Sequence, residues 1–159
     1  MSATADANKG AGAVRTAFDQ DALAAYMAAQ VDGFAGPLTI EQFNGGQSNP
    51  TYRLTTPGGR YVMRRKPPGP ILKGAHDVLR EARVQQALAG TDVPVGRIFA
   101  VCEDEAVIGT QFYIMELVEG RIFWDATFSE VPLAERAAYF DEMNRVIAAL
   151  HMVDYEACG

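Results

Sequence analysis

The sequence predicts an α+β fold: five antiparallel strands with one helix inserted after the third, then a change to helix. Three observations predict it. Short β-type runs, punctuated by Gly/Pro clusters, fill much of 38–117. A helical-period segment interrupts them at about 76–89, and a long amphipathic segment closes the chain at 132–151.

Residues 1–17 are small and polar, and the expectation is a disordered tail. Asp19 or Asp21 can cap a helix to about Val31, with Leu23, Tyr26, Met27 and Gln30 near one face. Gly33, Gly36 and Pro37 end it. Leu38 to Phe43 reads as a strand, Asn44 to Pro50 as a turn cluster, and Thr51 to Thr55 as a second strand. Thr56-Pro57-Gly58-Gly59 is a hairpin turn before a third strand, Tyr61 to Arg65. Prolines 67, 68 and 70 force a loop, and the inserted helix stops at Gly90. Ile98 to Glu103 and Gln111 to Leu117 are the last strands. In the closing helix Leu133, Ala137, Phe140, Met143, Ile147 and Leu150 recur at helical spacing, with Pro132 suited to its first turn. A boundary between two lobes falls near Glu116 to Gly120.

Composition narrows the function. A net charge of −6 argues against general nucleic-acid binding, although 60–73 holds five cations that could line a local pocket. Cys102 and Cys158 form no CxxC pair, and His76 and His151 stand alone, so zinc spacing is absent. No run approaches the roughly 20 apolar residues of a membrane helix, and the N-terminus lacks an apolar signal core. A cytoplasmic protein, with no nucleic-acid or membrane partner, is the expectation.

Three segments in fixed order carry the chemistry: Asn44 to Leu54, Arg60 to Lys66, and Ala75 to Val84. Gly45 and Gly46 permit positive φ, so successive N–H groups can converge on phosphate oxygens, with the Ser48 hydroxyl beside them. Taken alone, paired glycines are better read as a tight hairpin loop. Alternation puts Val62 and Arg64 on one strand face, Tyr61 and Met63 on the other. Arg64 could hold phosphates of a ligand whose base rests on Val62, or could snorkel to solvent, as Arg65 is expected to do. Glu81 lies between apolar helix positions and needs a partner. Arg64 is favoured; Arg80, Arg83 or Gln85 are the alternatives.

These segments resemble the N-terminal lobe of the aminoglycoside phosphotransferase family, relatives of the protein kinases. The resemblance is nearest to the phosphotransferase-like domain fused to, or encoded beside, some acyl-CoA dehydrogenases. It rests on GGQSNPTYRL (45–54), RYVMRRKPPG (60–69), HDVLREARV (76–84), VPVGRIFAVCED (93–104), FYIMELVEGR (112–121) and ALHMVDYEACG (149–159). It implies a kinase-like nucleotide-binding lobe over 18–118 and, over 119–159, a hinge and the start of a helical second lobe. Gly45, Gly46, Gln47, Ser48 and Asn49 would form the phosphate loop. Arg64 would replace the phosphate-contacting lysine, and Glu81 would orient it. Met115 to Val118 would be the hinge, with the Glu116 carbonyl and Val118 N–H pairing to adenine.

The implied reaction is transfer of the ATP γ-phosphoryl group, with Mg²⁺, to a hydroxyl of a small metabolite such as a hydroxyacyl-CoA. Two departures stand out. Arginine at 64 offers a planar fork rather than an ammonium. The family's HGDxxxxN-type loop and later metal-binding aspartate have no match in the sequence, and His151-Met152-Val153-Asp154 is not that loop. No catalytic residue or metal ligand is therefore assigned, and the chain alone is expected to be inactive and either to self-associate through its last helix or to leave that helix poorly ordered. Trp124, Asp125 and Phe128 could line a substrate cleft, but packing of a second-lobe loop is favoured. A non-catalytic nucleotide-binding or interaction module, or a fragment without function of its own, are the other readings.

Overall fold

The computed structural model describes residues 11–44, 49–70, 72 and 74–158. A single antiparallel sheet of six strands, in the order β1-β2-β3-β4-β6-β5, organises the chain. The strands are β1 (Ala11–Gly12), β2 (Thr39–Phe43), β3 (Thr51–Thr56), β4 (Gly59–Arg65), β5 (Ile98–Cys102) and β6 (Phe112–Glu116). The helices are α1 (Gln20–Gln30), α2 (Val78–Leu88), α3 (Arg136–His151) and a short α4 (Tyr155–Cys158), with one 3₁₀ turn at Leu133–Glu135.

The α+β layout is as expected, with six strands instead of five. The extra strand is β1, whose Ala11 and Gly12 pair with Phe43 and Gln42 of β2. The tail expected to be disordered through residue 17 is therefore built into the sheet from Ala11. Backbone pairing needs no side-chain pattern, and the outer edge of β2 would otherwise present unpaired polar groups. Arg15 adds to the seam: its N–H donates to Gln42 Oε1 at 2.8 Å and its guanidinium to the Phe43 carbonyl at 3.0 Å.

The two faces of the sheet bury different things. Tyr52, Leu54, Tyr61, Met63, Phe112 and Ile114 point to one face, where Leu23 and Met27 of α1 complete the main core. Asp19 starts α1 by accepting from the Ala22 N–H at 2.9 Å. The other face carries Tyr113 and Met115, against which Val78 and Ala82 of α2 pack. These two α2 residues are four apart and so share one helix stripe. Asp77 caps α2, and Gly90 at φ +88° turns the chain away after it.

Arg65 departs most from expectation. It does not snorkel; it is 2 % exposed and points into the α1 face. Its guanidinium lies 4.9 Å from the Phe18 ring centre and 5.6 Å from that of Tyr52. Alternation requires this, because Arg65 shares parity with Tyr61 and Met63.

Beyond β6, Phe123, Phe128, Tyr139 and Phe140 form an aromatic cluster, with Arg121 over the rings of Phe123 and Tyr139. Phe128 packs the loop as favoured above, whereas Trp124 is exposed. Pro132 precedes the 3₁₀ turn, so α3 begins later, at Arg136. Leu133, Phe140, Met143, Ile147 and Leu150 are all exposed, which leaves an apolar stripe along α3. Such a patch marks an interface or an aggregation liability. The isolated chain is expected to self-associate, with light-scattering mass rising with concentration. A monomer at every concentration, with α3 well protected in hydrogen exchange, would contradict this. No helix among the described residues is long and apolar enough to cross a membrane.

Candidate nucleotide-phosphate site

The site grows from one register. Arg64 on β4 stands opposite Thr51 of β3 on one side and Tyr113 of β6 on the other. Side chains of directly paired residues project to the same face, so the guanidinium emerges on the α2 side of the sheet. One α2 turn presents Glu81 to it, because Glu81 flanks the Val78–Ala82 stripe that seats the helix. Arg64 Nε donates to Glu81 Oε2 at 2.6 Å and its Nη2 donates to Glu81 Oε1 at 3.4 Å. The third nitrogen makes only a long contact, 3.5 Å, to Thr51 Oγ1. The two side chains are 30 % and 33 % exposed, so the pair is partly open to solvent. Arg80 and Arg83 are exposed on the far side of α2, and Gln85 reaches Glu81 only through Tyr113.

Glu81 accepts two further hydrogen bonds. Asn49 Nδ2 donates to Oε1 at 2.7 Å, and the Tyr113 hydroxyl donates to Oε2 at 3.3 Å. Gln85 Nε2 in turn donates to the Tyr113 oxygen at 3.2 Å. Burial, and next the adjacent Glu81 charge, push the Tyr113 phenol up to about 12. His76 Nδ1 lies 3.2 Å from Asn49 Oδ1. The carboxylate fixes the amide orientation: Nδ2 must face Glu81, so Oδ1 accepts and His76 Nδ1 carries the proton.

The expected site residues divide into four groups. Asn49, Arg64 and Glu81 meet directly, and Asn49, 1 % exposed, is aimed at Glu81. Val62 and Met115 are register partners on the same face, with Val62 buried and Met115 half-buried. Glu116 and Val118 lie at and beyond the end of β6. The Glu116 N–H donates to the Arg97 carbonyl at 2.8 Å and its carboxylate accepts from the Arg97 N–H at 3.1 Å, while Val118 is exposed. Gly45, Gly46, Gln47 and Ser48 lie outside the described residues.

Sequence reasoning missed Thr51, His76 and Tyr113 as members of this network, and had Gln85 only as an alternative direct partner of Glu81. Thr51 and Tyr113 were recoverable, since each is the direct sheet partner of Arg64. His76 left no signal beyond being a lone histidine ahead of a helix.

Two acidic groups beyond β6, Asp125 and Asp154, hold local turns. Asp125 accepts from the Thr127 N–H and hydroxyl and from the Ser129 N–H; the Ser129 hydroxyl first, and then these donors, hold its carboxyl well below the usual range. Asp154 accepts from the Glu156 and Ala157 N–H groups at the start of α4. Among the described residues no three His, Cys, Asp or Glu gather to hold a metal ion.

Comparison with known proteins fits this architecture. The chain is 44 % identical over 146 residues to acyl-CoA dehydrogenase family member 11 of Gallus gallus, covering 89 % of this chain and 19 % of that protein. It is 45 % identical over 150 residues to the Arabidopsis thaliana protein named probable acyl-CoA dehydrogenase IBR3, covering 89 % and 18 %. The chain thus spans about a fifth of the length of these relatives. A crystal structure from Ralstonia eutropha JMP134, provisionally named an aminoglycoside phosphotransferase, superposes with a TM-score of 0.78 at 57 % identity, over 90 % of this chain and 41 % of that one. The α+β, kinase-like character of the fold is therefore shown. The family model described as phosphotransferase enzyme family matches residues 39–159, and this chain belongs to that family.

Proposed function

We propose that this chain is the nucleotide-holding part of an ATP-dependent phosphotransferase acting on the hydroxyl of a small metabolite. The observation that carries the reading is the Arg64 guanidinium, fixed by Glu81 at 2.6 Å on the face that also bears Val62 and Met115. One of its nitrogens has only a 3.5 Å contact to Thr51. That leaves donor capacity for a phosphate, which an arginine fork suits. Residues 45–48 would complete the phosphate cradle, and the strand end at Met115 to Val118 would receive adenine. Mg²⁺ would neutralise charge on the transferred group; no residue of this chain is assigned to it. The names of the relatives favour an acyl-CoA-linked acceptor, a hydroxyacyl-CoA, over an aminoglycoside.

A second reading, a non-catalytic nucleotide-binding module, draws on Asp125 and Asp154. Both carboxylates are occupied by turn and cap hydrogen bonds. A catalytic base must instead reach the acceptor hydroxyl.

Titration with MgATP, followed by NMR, is expected to perturb Asn49, Arg64 and Met115 to Val118 at millimolar nucleotide. Silence at those positions would sink the nucleotide reading. In an ATP-consumption assay with hydroxyacyl-CoAs and aminoglycosides, the chain alone is expected to give no turnover. Turnover abolished by Asp125→Ala or Asp154→Ala would show that the catalytic centre lies beyond β6 of this chain.

A further inference from the structure

We propose that Asn49 is a positioning residue, held at its oxygen end by His76, that sets the Glu81 carboxylate on the Arg64 guanidinium. Its consequence for ligand binding rests on the nucleotide reading above; the latch itself rests on geometry. Asn49 is 1 % exposed, so its amide is costly to bury unless both ends are satisfied. They are: Nδ2 donates to Glu81 Oε1 at 2.7 Å, and Oδ1 receives His76 Nδ1 at 3.2 Å. The Glu81 carboxylate draws the Nδ2 end, and without His76 the buried Oδ1 end loses the donor it has here, which leaves the amide held from one side only.

The backbone adds an independent sign. His76 has φ +57°, a left-handed conformation that non-glycine residues seldom adopt. Such geometry persists where the surroundings over-determine it. Here it sets the imidazole beside Asn49, immediately before Asp77 caps α2. Asn49 lies on the connection between β2 and β3, Glu81 on α2 and Arg64 on β4. The latch therefore joins the connection that carries residues 45–48 to the helix that aims the arginine.

The two nitrogens of the pair chemistry give a clean test. His76→Asn keeps an N–H at the position of Nδ1 and tolerates positive φ. His76→Asp tolerates the same φ but can only accept, so it sets a second acceptor against Oδ1 and competes with Glu81 for the one Asn49 NH2 group. The readout is exchange of the Arg64 Nε–H with solvent, followed by ¹⁵N NMR on the protein without nucleotide. His76→Asn is expected to keep wild-type protection. His76→Asp and Asn49→Ala are expected to speed exchange about tenfold or more, as loss of a hydrogen bond to a charged group does. His76→Asn and His76→Asp behaving alike would overturn the proposal, as would wild-type protection in Asn49→Ala. Should Asn49→Ala fail to fold, the His76 pair, at a half-buried site, still decides. A MgATP titration on the same samples is expected to weaken in step with the lost protection. If MgATP leaves even the wild-type site unperturbed, the nucleotide reading falls, while the latch is still judged by the Arg64 signal.

Discussion

Arg65→Ala is expected to destabilise the protein by about 3–5 kcal/mol, in the range of large-to-small core truncations. The residue is 2 % exposed and lies between Phe18 and Tyr52 in the core under α1. Truncation removes the stem that fills this space and the charge that faces two aromatic rings. Each such ring contact contributes roughly 0.5–2 kcal/mol. The site is not ideal for a cation. Nε has no hydrogen-bond partner, and neither does the buried Tyr52 hydroxyl. Burial pushes the Tyr52 phenol up, and the Arg65 and Arg15 charges pull it part of the way back. Volume is then expected to matter more than charge, so Arg65→Met should recover most of the loss. Urea unfolding of both variants checks this. Equal destabilisation by alanine and methionine would assign the effect to the cation instead, and a change under 1 kcal/mol for alanine would refute the packing argument.

Arg65 also shows what in the fold was legible. The alternation that placed Arg64 opposite Met63 extends one residue further and places Arg65 in the core. The error was to let the general preference of arginine for solvent override the pleat. Where a side-chain pattern exists, the sequence reading holds: the Leu23–Met27 stripe of α1, the Thr56–Gly59 turn and Glu81 beside Arg64 all stand where expected. Where the determinant is backbone, the sequence is silent. Ala11 and Gly12 join the sheet through main-chain pairing that any small residues could make. The left-handed backbone of His76 is likewise set by its surroundings, and a histidine before a helix gives no warning of it. In the site, the Arg64–Glu81 pairing followed from the need to satisfy a carboxylate. The role of Asn49 did not, because the resemblance placed it in the phosphate loop as a ligand contact instead.

The Arg64–Glu81 double-mutant cycle is expected to give a coupling of about 1–3 kcal/mol. Exposed pairs contribute roughly 0–1 kcal/mol, and breaking buried ones costs about 3–5. At 30 % and 33 % side-chain exposure this pair falls between those limits. The two single variants should not be equal. Arg64→Ala leaves Glu81 with donors from Asn49 and Tyr113, so its charge remains partly satisfied. Glu81→Ala leaves the Asn49 amide, 1 % exposed, without an acceptor for Nδ2, and leaves Arg64 with Thr51 alone. An unsatisfied buried donor costs about 1–3 kcal/mol by itself. Glu81→Ala is therefore expected to be the more destabilising change, with the difference reflecting Asn49. Denaturant unfolding of the wild type, both single variants and the double variant measures all of these terms. Losses that add within about 0.5 kcal/mol would show that the two residues do not act as a pair. Equal losses for the single variants would show that Asn49 draws nothing from Glu81.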